Sequence, residues 1–185
     1  MQKGVLVVEI ENVVASVSYD HALDLDVIAQ VLPSSRYNPQ QFPALVYRSR
    51  RPKASMLIYR SGKVLCSGMT SERQVKKAAG QITYELRNNG IVIINDPEIK
   101  IQNMVASMDL GGRIDLEAAA YTLEKTIYDP DHFPGLVYRM EDPKATFILF
   151  STGKAVCMGA KKKSEIVEAA DRLQSLLVAH RLIAA

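Results

Sequence analysis

The sequence predicts an α+β fold, in which long helices cover one face of a mostly antiparallel sheet. The first observation behind this is an internal duplication: residues 10–86 align without a gap to residues 101–177, with 27 of 77 positions identical. The second is that short apolar segments separated by turn residues recur in each copy. The third is an amphipathic helical pattern that closes each copy. We therefore expect two similar repeats, residues 1–94 and residues 95–185, fused into one structural unit with a pseudo-twofold axis.

Each repeat opens with an alternating strand, predicted over residues 5–18 in the first copy and residues 99–109 in the second. A short helix is expected to follow from about Asp24 and from about Asp115. Acidic side chains favour the first turn of a helix, so we interpret these two aspartates as helix starters rather than as an acid/base pair.

Short strands occupy the middle of each repeat, from Phe42 to Gly68 and from Phe133 to Gly159. Dipeptides containing Gly or Pro mark the turns between these strands. The turns are Pro52-Lys53, Ser61-Gly62, Pro143-Lys144 and Thr152-Gly153.

A longer helix closes each repeat. Thr70 or Ser71 is the expected N-cap of the first helix, and Ser164 is the expected N-cap of the second. Apolar residues at helical spacing predict the buried face of each helix. They are Val75, Ala78, Ala79, Ile82 and Leu86, and then Ile166, Val167, Ala170, Leu173, Leu176 and Leu177.

The charge of the chain is divided unequally between the repeats. Residues 1–94 hold 12 Lys and Arg against 7 Asp and Glu, whereas residues 95–185 hold 11 against 13, so that +5 and −2 sum to the net charge of +3. Two similar repeats with unlike charge suggest two ends with different partners.

The two cysteines, Cys66 and Cys157, lie 91 residues apart and so share one structural position. Two cysteines do not form a disulfide framework, and we expect buried, reduced thiols in an intracellular protein. The N-terminal segment MQKGVLVVEIEN has too short an apolar stretch for a signal peptide, and no apolar run reaches membrane-spanning length, so no membrane partner is expected.

Both faces of the predicted sheet are largely apolar. Met56 and Ile58 point one way and Leu57 and Tyr59 the other, and in the next strand Val64 and Cys66 oppose Leu65 and Ser67, because side chains alternate along a strand. The two long helices can cover only one face, and an uncovered apolar face marks a binding surface. Basic residues at matched positions in the two repeats bound this face. A duplicated core or a dimer interface is the alternative interpretation of the same pattern.

Several matched motifs carry a resemblance that covers nearly the whole chain. They are IENVVASV and IQNMVASM, YNPQQFPALVYR and YDPDHFPGLVYR, and RPK with SGK against DPK with TGK. In these motifs the chain resembles the TATA-box-binding protein family, and the archaeal members most closely. The resemblance implies a saddle-shaped, curved, ten-stranded antiparallel sheet with helices on the convex face. It also implies a general transcription initiation factor in the nucleoid-associated cytoplasm of an archaeal cell.

The resemblance assigns roles to individual residues by motif match. Residues that wedge between base steps are expected at Phe42, Tyr59, Phe133 and Phe150. Residues that contact base edges in the minor groove are expected at Asn12, Asn103, Val14, Val105, Leu57, Ile148, Leu65, Val156, Ser67 and Met158. Phosphate contacts are expected at Arg48, Arg139, Lys63, Lys154, Ser61 and Thr152. Tyr59 replaces the usual Phe of the family and Met158 replaces a Thr, so the two ends are not expected to bind equally.

Partners follow from the same resemblance. The loop YDPDHFP, with Asp129 and Asp131, matches the acidic loop that meets transcription factor B, through which RNA polymerase is recruited. The other partner is double-stranded promoter DNA, and a homodimer of the free protein through its apolar face is possible. Arg73, Lys76 and Lys77 are interpreted as a solvated basic helix face.

An enzyme is not expected, since the chain contains no nucleophile elbow, phosphate loop or paired-cysteine motif, and its three histidines lack metal-ligand spacing. No cofactor and no metal are predicted. The alternative function is a nucleic-acid-binding module of the same fold that acts outside promoter recognition.

Overall fold

The computed structural model describes residues 6–184. The first repeat contains β1 (Val8–Ser18), α1 (Leu25–Val31), β2 (Ser35–Arg36), β3 (Ala44–Arg50), β4 (Lys53–Tyr59), β5 (Lys63–Met69) and α2 (Glu72–Asn88). The second contains β6 (Glu98–Asp109), β7 (Arg113–Ile114), α3 (Leu116–Thr122), β8 (Thr126–Ile127), β9 (Leu136–Met140), β10 (Ala145–Leu149), β11 (Lys154–Ala160), α4 (Lys163–Ala179) and β12 (Ile183–Ala184).

Ten strands form one sheet in the order β2-β3-β4-β5-β1-β6-β11-β10-β9-β8, and β12 pairs with β7 separately. The strand pairs are antiparallel. The predicted α+β class, the ten-stranded antiparallel sheet and the duplicated order of elements are therefore confirmed. The first predicted strand position, Val5, lies outside the described residues, and β1 begins at Val8.

Residue contacts divide the chain into two compact units. One unit is Asn12–Gln102, and the other joins the segment that ends at Glu11 to the segment that starts at Asn103. Both boundaries fall inside strands, in β1 and in β6. The predicted boundary between the two repeats, at residues 94 and 95, stays a prediction. The division by contacts does not test where one repeat ends in the sequence and the next begins.

Side-chain caps start three of the four helices within residues 6–184. The Asp24 carboxylate accepts the backbone N–H groups of Asp26 and Val27 at 3.1 and 3.2 Å. The Asp115 carboxylate accepts that of Ala118 at 2.9 Å, and the Ser71 hydroxyl accepts that of Gln74 at 3.2 Å. These bonds satisfy amide groups that have no partner inside the helix. They also explain both aspartates as structural residues.

The start of α4 differs from the prediction. Ser164 is not the cap, because the helix begins at Lys163 and Ser164 lies within its first turn. The N-cap residue is Lys162, which makes no side-chain capping bond. Instead the Glu165 carboxylate reaches back and accepts the backbone N–H of Lys161 at 3.1 Å. A carboxylate in this position also complements the positive end of the helix.

The helices bury most of the residues predicted to face the core. All five apolar residues predicted for α2 are buried. In α4 the prediction is wrong for Val167, which is 37% exposed, and Leu176 is only half-buried. Gln174 takes a core position instead, and its amide donates to the Leu110 carbonyl at 3.1 Å.

Cys66 and Cys157 are free, buried thiols, as predicted, and both lie on the helix side of their strands. Burial raises the pKa of each thiol to about 12. At neutral pH both therefore stay protonated and unreactive, and act as small apolar core residues.

Candidate nucleic-acid interface

In each unit, one row of mostly half-buried side chains crosses the strands on the face opposite the helices. In the first repeat the paired positions are Val46, Leu57, Leu65 and Ser16. In the second they are Val137, Ile148, Val156 and Ser107. We call these the floor rows. The three apolar members of each row are only half-buried, whereas the residues beside them along each strand are buried on the helix side, except for the half-buried Tyr138.

The sequence missed four members of the floor rows, the serines Ser16 and Ser107 and the valines Val46 and Val137. Each valine lies two residues before a predicted phosphate-binding arginine on the same strand, Arg48 or Arg139. Alternation along β3 and β9 therefore places each valine and arginine on one face. Alternation along each strand was enough to predict this placement. The pairing of Val46 with Leu57 and of Val137 with Ile148 follows only from the strand register.

A side-chain amide is held in one orientation in each unit. The Asn12 Oδ1 accepts the Gly68 N–H at 2.7 Å, and the Asn103 Oδ1 accepts the Gly159 N–H at 2.8 Å. Both glycines have a positive φ, 93° and 96°, and lie where the strand register shifts. This geometry favours glycine. Because each amide oxygen is occupied, the amide offers its N–H groups as free donors.

The serine at the end of each floor row is also tied to a polar side chain, and here the two repeats differ. In the first repeat the Gln102 amide donates to the Ser16 hydroxyl at 2.8 Å. In the second repeat the Ser107 hydroxyl hydrogen-bonds to the Glu11 carboxylate. The position thus carries a neutral amide in one unit and an anion in the other.

The aromatic residues predicted as wedges are arranged differently in the two units. Phe133 and Phe150 form an edge-to-face pair with 6.2 Å between the ring centroids, and Phe133 is 43% exposed. Phe42 is exposed to a similar extent, 44%. Within residues 6–184 no such ring contact joins it to Tyr59.

Gly135 accounts for this difference. A Cβ at Gly135 would lie 2.6 Å from Cε1 of Phe133 and 2.8 Å from Cγ2 of Ile148, so the Phe133 ring rests where a side chain would be. The matching residue of the first repeat, 91 positions earlier, is the buried Ala44. Its methyl group occupies the corresponding space. The position of the Phe133 ring therefore depends on the absence of a Cβ methyl group at residue 135.

The substitution Gly135→Ala is predicted to displace the Phe133 ring with little loss of stability, within about 1 kcal/mol, since an exposed ring can swing aside. We expect the ring resonances of Phe150 to move in aromatic NMR spectra as the edge-to-face contact is lost. Ala44→Gly is the matched control and should leave those resonances in place. Unchanged Phe150 resonances in Gly135→Ala would show that Gly135 does not set the ring position.

The predicted phosphate-binding residues are exposed around the floor rows. They are Arg48, Lys63, Ser61, Arg139, Lys154 and Thr152. The predicted base contacts Ser67 and Met158 are half-buried and lie opposite Ser55 and Thr146 on the neighbouring strands. The structure thus brings these residues to the floor face of each unit. What they bind stays a prediction.

The loop before β9 is acidic, and hydrogen bonds between its own residues hold its conformation. The Asp129 carbonyl accepts the backbone N–H groups of His132 and Phe133 at 3.2 and 2.9 Å. The Asp129 carboxylate also lies 2.9 Å from Nδ1 of His132. Asp129 and Asp131 are both exposed. The matching loop of the first repeat has Asn38 and Gln40 at these positions and carries no charge.

The chain is similar to known proteins in both sequence and fold. A family model described as transcription factor TFIID, or TATA-binding protein, matches residues 7–89 and residues 98–180. The chain belongs to the TATA-binding protein family. The two matched segments confirm that its duplication is the duplication of this family.

Named relatives of the TATA-binding protein family agree over most of their length. The TATA-box-binding protein of Pyrodictium occultum is 44% identical over 94% of this chain and 87% of its own. That of Archaeoglobus fulgidus is 42% identical over 92% of this chain and 94% of its own. The solved structure of the Methanococcus jannaschii protein superimposes with a TM-score of 0.85 at 43% identity, covering 91% of this chain and 96% of that one.

Membership of the TATA-binding protein family makes the chain a general transcription initiation factor of the DNA-binding kind, and not an enzyme. Among the described residues, no three His, Cys, Asp or Glu side chains are grouped as a metal site. In the same part of the chain, no helix is both long and apolar enough to cross a membrane.

Proposed function

We propose that the chain binds the minor groove of A·T-rich promoter DNA and bends it. The observation that carries this proposal is the pair of apolar floor rows, each beside an asparagine whose amide is fixed as a donor. The relatives are named for binding a TATA box, which is a sequence of this kind. A half-buried apolar face with few polar groups suits the minor groove, whose floor carries weakly polar base edges between walls of phosphate.

The fixed amides supply a reason for choosing A·T pairs. In the minor groove A·T pairs present only acceptors, whereas a G·C pair adds the donor N2 amine of guanine. Asn12 and Asn103 can donate to acceptors, but their oxygens are already bonded to Gly68 and Gly159. A guanine amine that faces either amide and its apolar row would be left without an acceptor. Such an unsatisfied group costs about 1–3 kcal/mol.

The aromatic residues would supply the bend. Phe42 and Tyr59 at one end, and Phe133 and Phe150 at the other, are proposed to enter base steps and unstack them. TATA-binding proteins are themselves a standard example of such kinking, in which unstacking costs a few kcal/mol per step. Burying each aromatic ring returns about 1.5–3 kcal/mol, so the rings offset much of this cost.

The charged residues would hold the DNA and its protein partners. Arg48, Lys63, Arg139 and Lys154 are proposed to contact phosphates on either side of the groove, with Ser61 and Thr152 donating alongside them. The acidic loop with Asp129 and Asp131 is proposed to bind transcription factor B and through it to recruit RNA polymerase. The site of action would be the nucleoid of an archaeal cell, consistent with the archaeal sources of the relatives.

The deciding experiment measures binding and bending together. A duplex with an A·T-rich centre and a fluorophore at each end should bind the chain and shorten its end-to-end distance, and transcription factor B should stabilise the complex. A scrambled duplex of the same composition is the control. Equal affinity for the two duplexes, or binding with no change in distance, would contradict promoter recognition by bending.

The double substitution Asn12→Ala with Asn103→Ala is predicted to reduce the preference for A·T over G·C at the centre of the site by about tenfold or more. The physical reason is that nothing is left to oppose the guanine amine, an effect of about 1–3 kcal/mol. Competition binding with the two duplexes measures the preference. Asn38→Ala, an exposed amide in the loop before β3, is the matched control and should leave it unchanged. A preference that persists in the double variant would remove the role given to these amides.

A further inference from the structure

A group of cations at the outer edge of the first repeat has no role in the proposal above, apart from Arg48. Arg36, Arg48, Arg50 and Lys53 line one hollow there, together with Val46 and Ser55. We call these four residues the edge cations. They come from three strands, β2, β3 and β4, and the hollow lies entirely within one compact unit.

The strand register places the edge cations on the floor face. Arg36 pairs with Val46, which belongs to the floor row, while Arg48 pairs with Ser55 and Arg50 with Lys53. Since Val46, Arg48 and Arg50 alternate along β3, their side chains leave the same face of the sheet. The edge cations therefore continue the floor row of the first repeat outward to the edge of the sheet.

These cations have no anion of their own. All four are exposed, and within residues 6–184 none of them makes an ion pair or a side-chain hydrogen bond. Like charges this close repel one another and raise the local positive potential. Such an arrangement is complementary to a polyanion, and it adjoins the surface that we propose for DNA.

The second repeat lacks the feature, although its backbone is alike. The matched positions, 91 residues later, are Ile127, Arg139, Glu141 and Lys144. Glu141 forms an ion pair with Lys125, and that lysine holds the pKa of the Glu141 carboxyl below its usual range. The four positions together thus carry a formal charge of +4 in the first repeat and +1 in the second. Because the second repeat forms the same strands without these charges, the fold itself does not require cations at these positions.

We propose that Arg36, Arg50 and Lys53 extend the DNA-binding face, by holding the phosphodiester backbone of the duplex where it passes the outer edge of the first repeat. This rests on the proposed function, since it assumes that the floor rows bind DNA. The first repeat then releases more counterions than the second when DNA binds. The first repeat therefore supplies most of the salt dependence of the affinity for DNA. Its edge cations also distinguish the two orientations in which a pseudo-symmetric protein can lie on its DNA site.

The test compares two triple variants that lose the same charge. Arg36→Gln with Arg50→Gln and Lys53→Gln removes three edge cations, and Arg73→Gln with Lys76→Gln and Lys77→Gln removes three exposed cations from α2. Affinity for a fluorescent A·T-rich duplex is measured over a range of salt concentration. Each released phosphate contact changes the slope of log K against log salt by about 0.9, so the edge variant should lose about 2 to 3 from the slope. The α2 variant should change by less than about 0.5.

The results distinguish this proposal from the proposal of promoter binding on which it rests. If the wild-type chain binds the duplex and the edge variant keeps the full slope, the edge cations do not hold phosphates, while promoter binding stands. Equal loss in both variants would show an effect of net charge and would also overturn the proposal. Loss of affinity for transcription factor B alone would assign the edge cations to a protein partner instead. Absence of wild-type binding to the A·T-rich duplex would overturn both proposals. Thermal unfolding of each variant checks that the fold is unchanged.

Discussion

Replacing Phe133 and Phe150 together by Ala is expected to weaken binding to an A·T-rich duplex by about two to four orders of magnitude. Each ring buries an apolar surface worth about 1.5–3 kcal/mol, and every 1.4 kcal/mol is about tenfold in affinity. The pair is already assembled edge to face in the free protein, so little ordering cost is incurred on binding. The bend measured by the distance between fluorophores at the duplex ends should fall with the affinity.

The control for this prediction removes aromatic rings from elsewhere. Tyr84, on α2, and Tyr121, on α3, are exposed aromatics that lie on helices, and Tyr121 is 94% exposed. Tyr84→Ala with Tyr121→Ala should leave affinity and bend unchanged. Normal bending by the Phe133 and Phe150 double variant would show that these rings are not wedges. Unfolding curves should be similar for both double variants, because exposed rings contribute little to stability.

The corresponding variant of the first repeat is expected to differ. Phe42 and Tyr59 make no edge-to-face contact within the described chain, and the Tyr59 hydroxyl must keep a polar partner when the ring enters the stack. Ordering two separate rings costs more than docking a pair that is already formed. The first repeat therefore gains less from its rings and, with its edge cations, relies more on phosphate contact. This agrees with the division of charge between the repeats.

The faces of the sheet could be predicted because they depend on a local rule. Side chains alternate along every strand, so Leu57 was placed opposite Met56 and Ile58, and Ile148 opposite Phe147, before any partner strand was known. The resemblance to the family then assigned Leu57 and Ile148 to the face that contacts bases. The helical caps at Asp24, Asp115 and Ser71 follow from equally local chemistry. The duplication repeated the strand pattern and the aspartate caps in both copies, whereas the position that matches Ser71 is Lys162, which makes no side-chain capping bond.

Features that depend on contacts between distant residues could not be predicted in this way. The bond from Gly68 to Asn12 spans 56 positions and arises at a shift in strand register, which no local pattern encodes. The edge cations are brought together by the pairing of β2 with β3, and Arg36 lies ten residues from its partner Val46. In both cases the missing information was geometry between segments. The failure of Ser164 as a cap has a different origin, because the bond from Lys161 to Glu165 at this helix start is local and spans four residues.

Two adjacent residues of β10 should separate stability from binding. Phe147 faces the helices and is fully buried, whereas Ile148 belongs to the floor row and is half-buried. Phe147→Ala is predicted to lower the free energy of unfolding by about 3–5 kcal/mol, the usual result of leaving a cavity in place of a buried ring. Ile148→Ala should lower it by only about 1 kcal/mol, because water already reaches that side of the strand.

The order of the two variants should reverse when DNA binding is measured below the unfolding transition. Ile148→Ala removes part of the surface proposed to meet the bases, so its affinity for an A·T-rich duplex should fall by about tenfold, consistent with the loss of roughly 1–1.5 kcal/mol of apolar contact. Phe147→Ala, in the fraction that remains folded, should bind almost normally, since the ring does not reach the floor face. Chemical unfolding and duplex binding of the same two samples measure both quantities. If both variants lost stability and affinity in the same proportion, the two faces of β10 would not be functionally distinct, and the face opposite the helices would be core and not an interface.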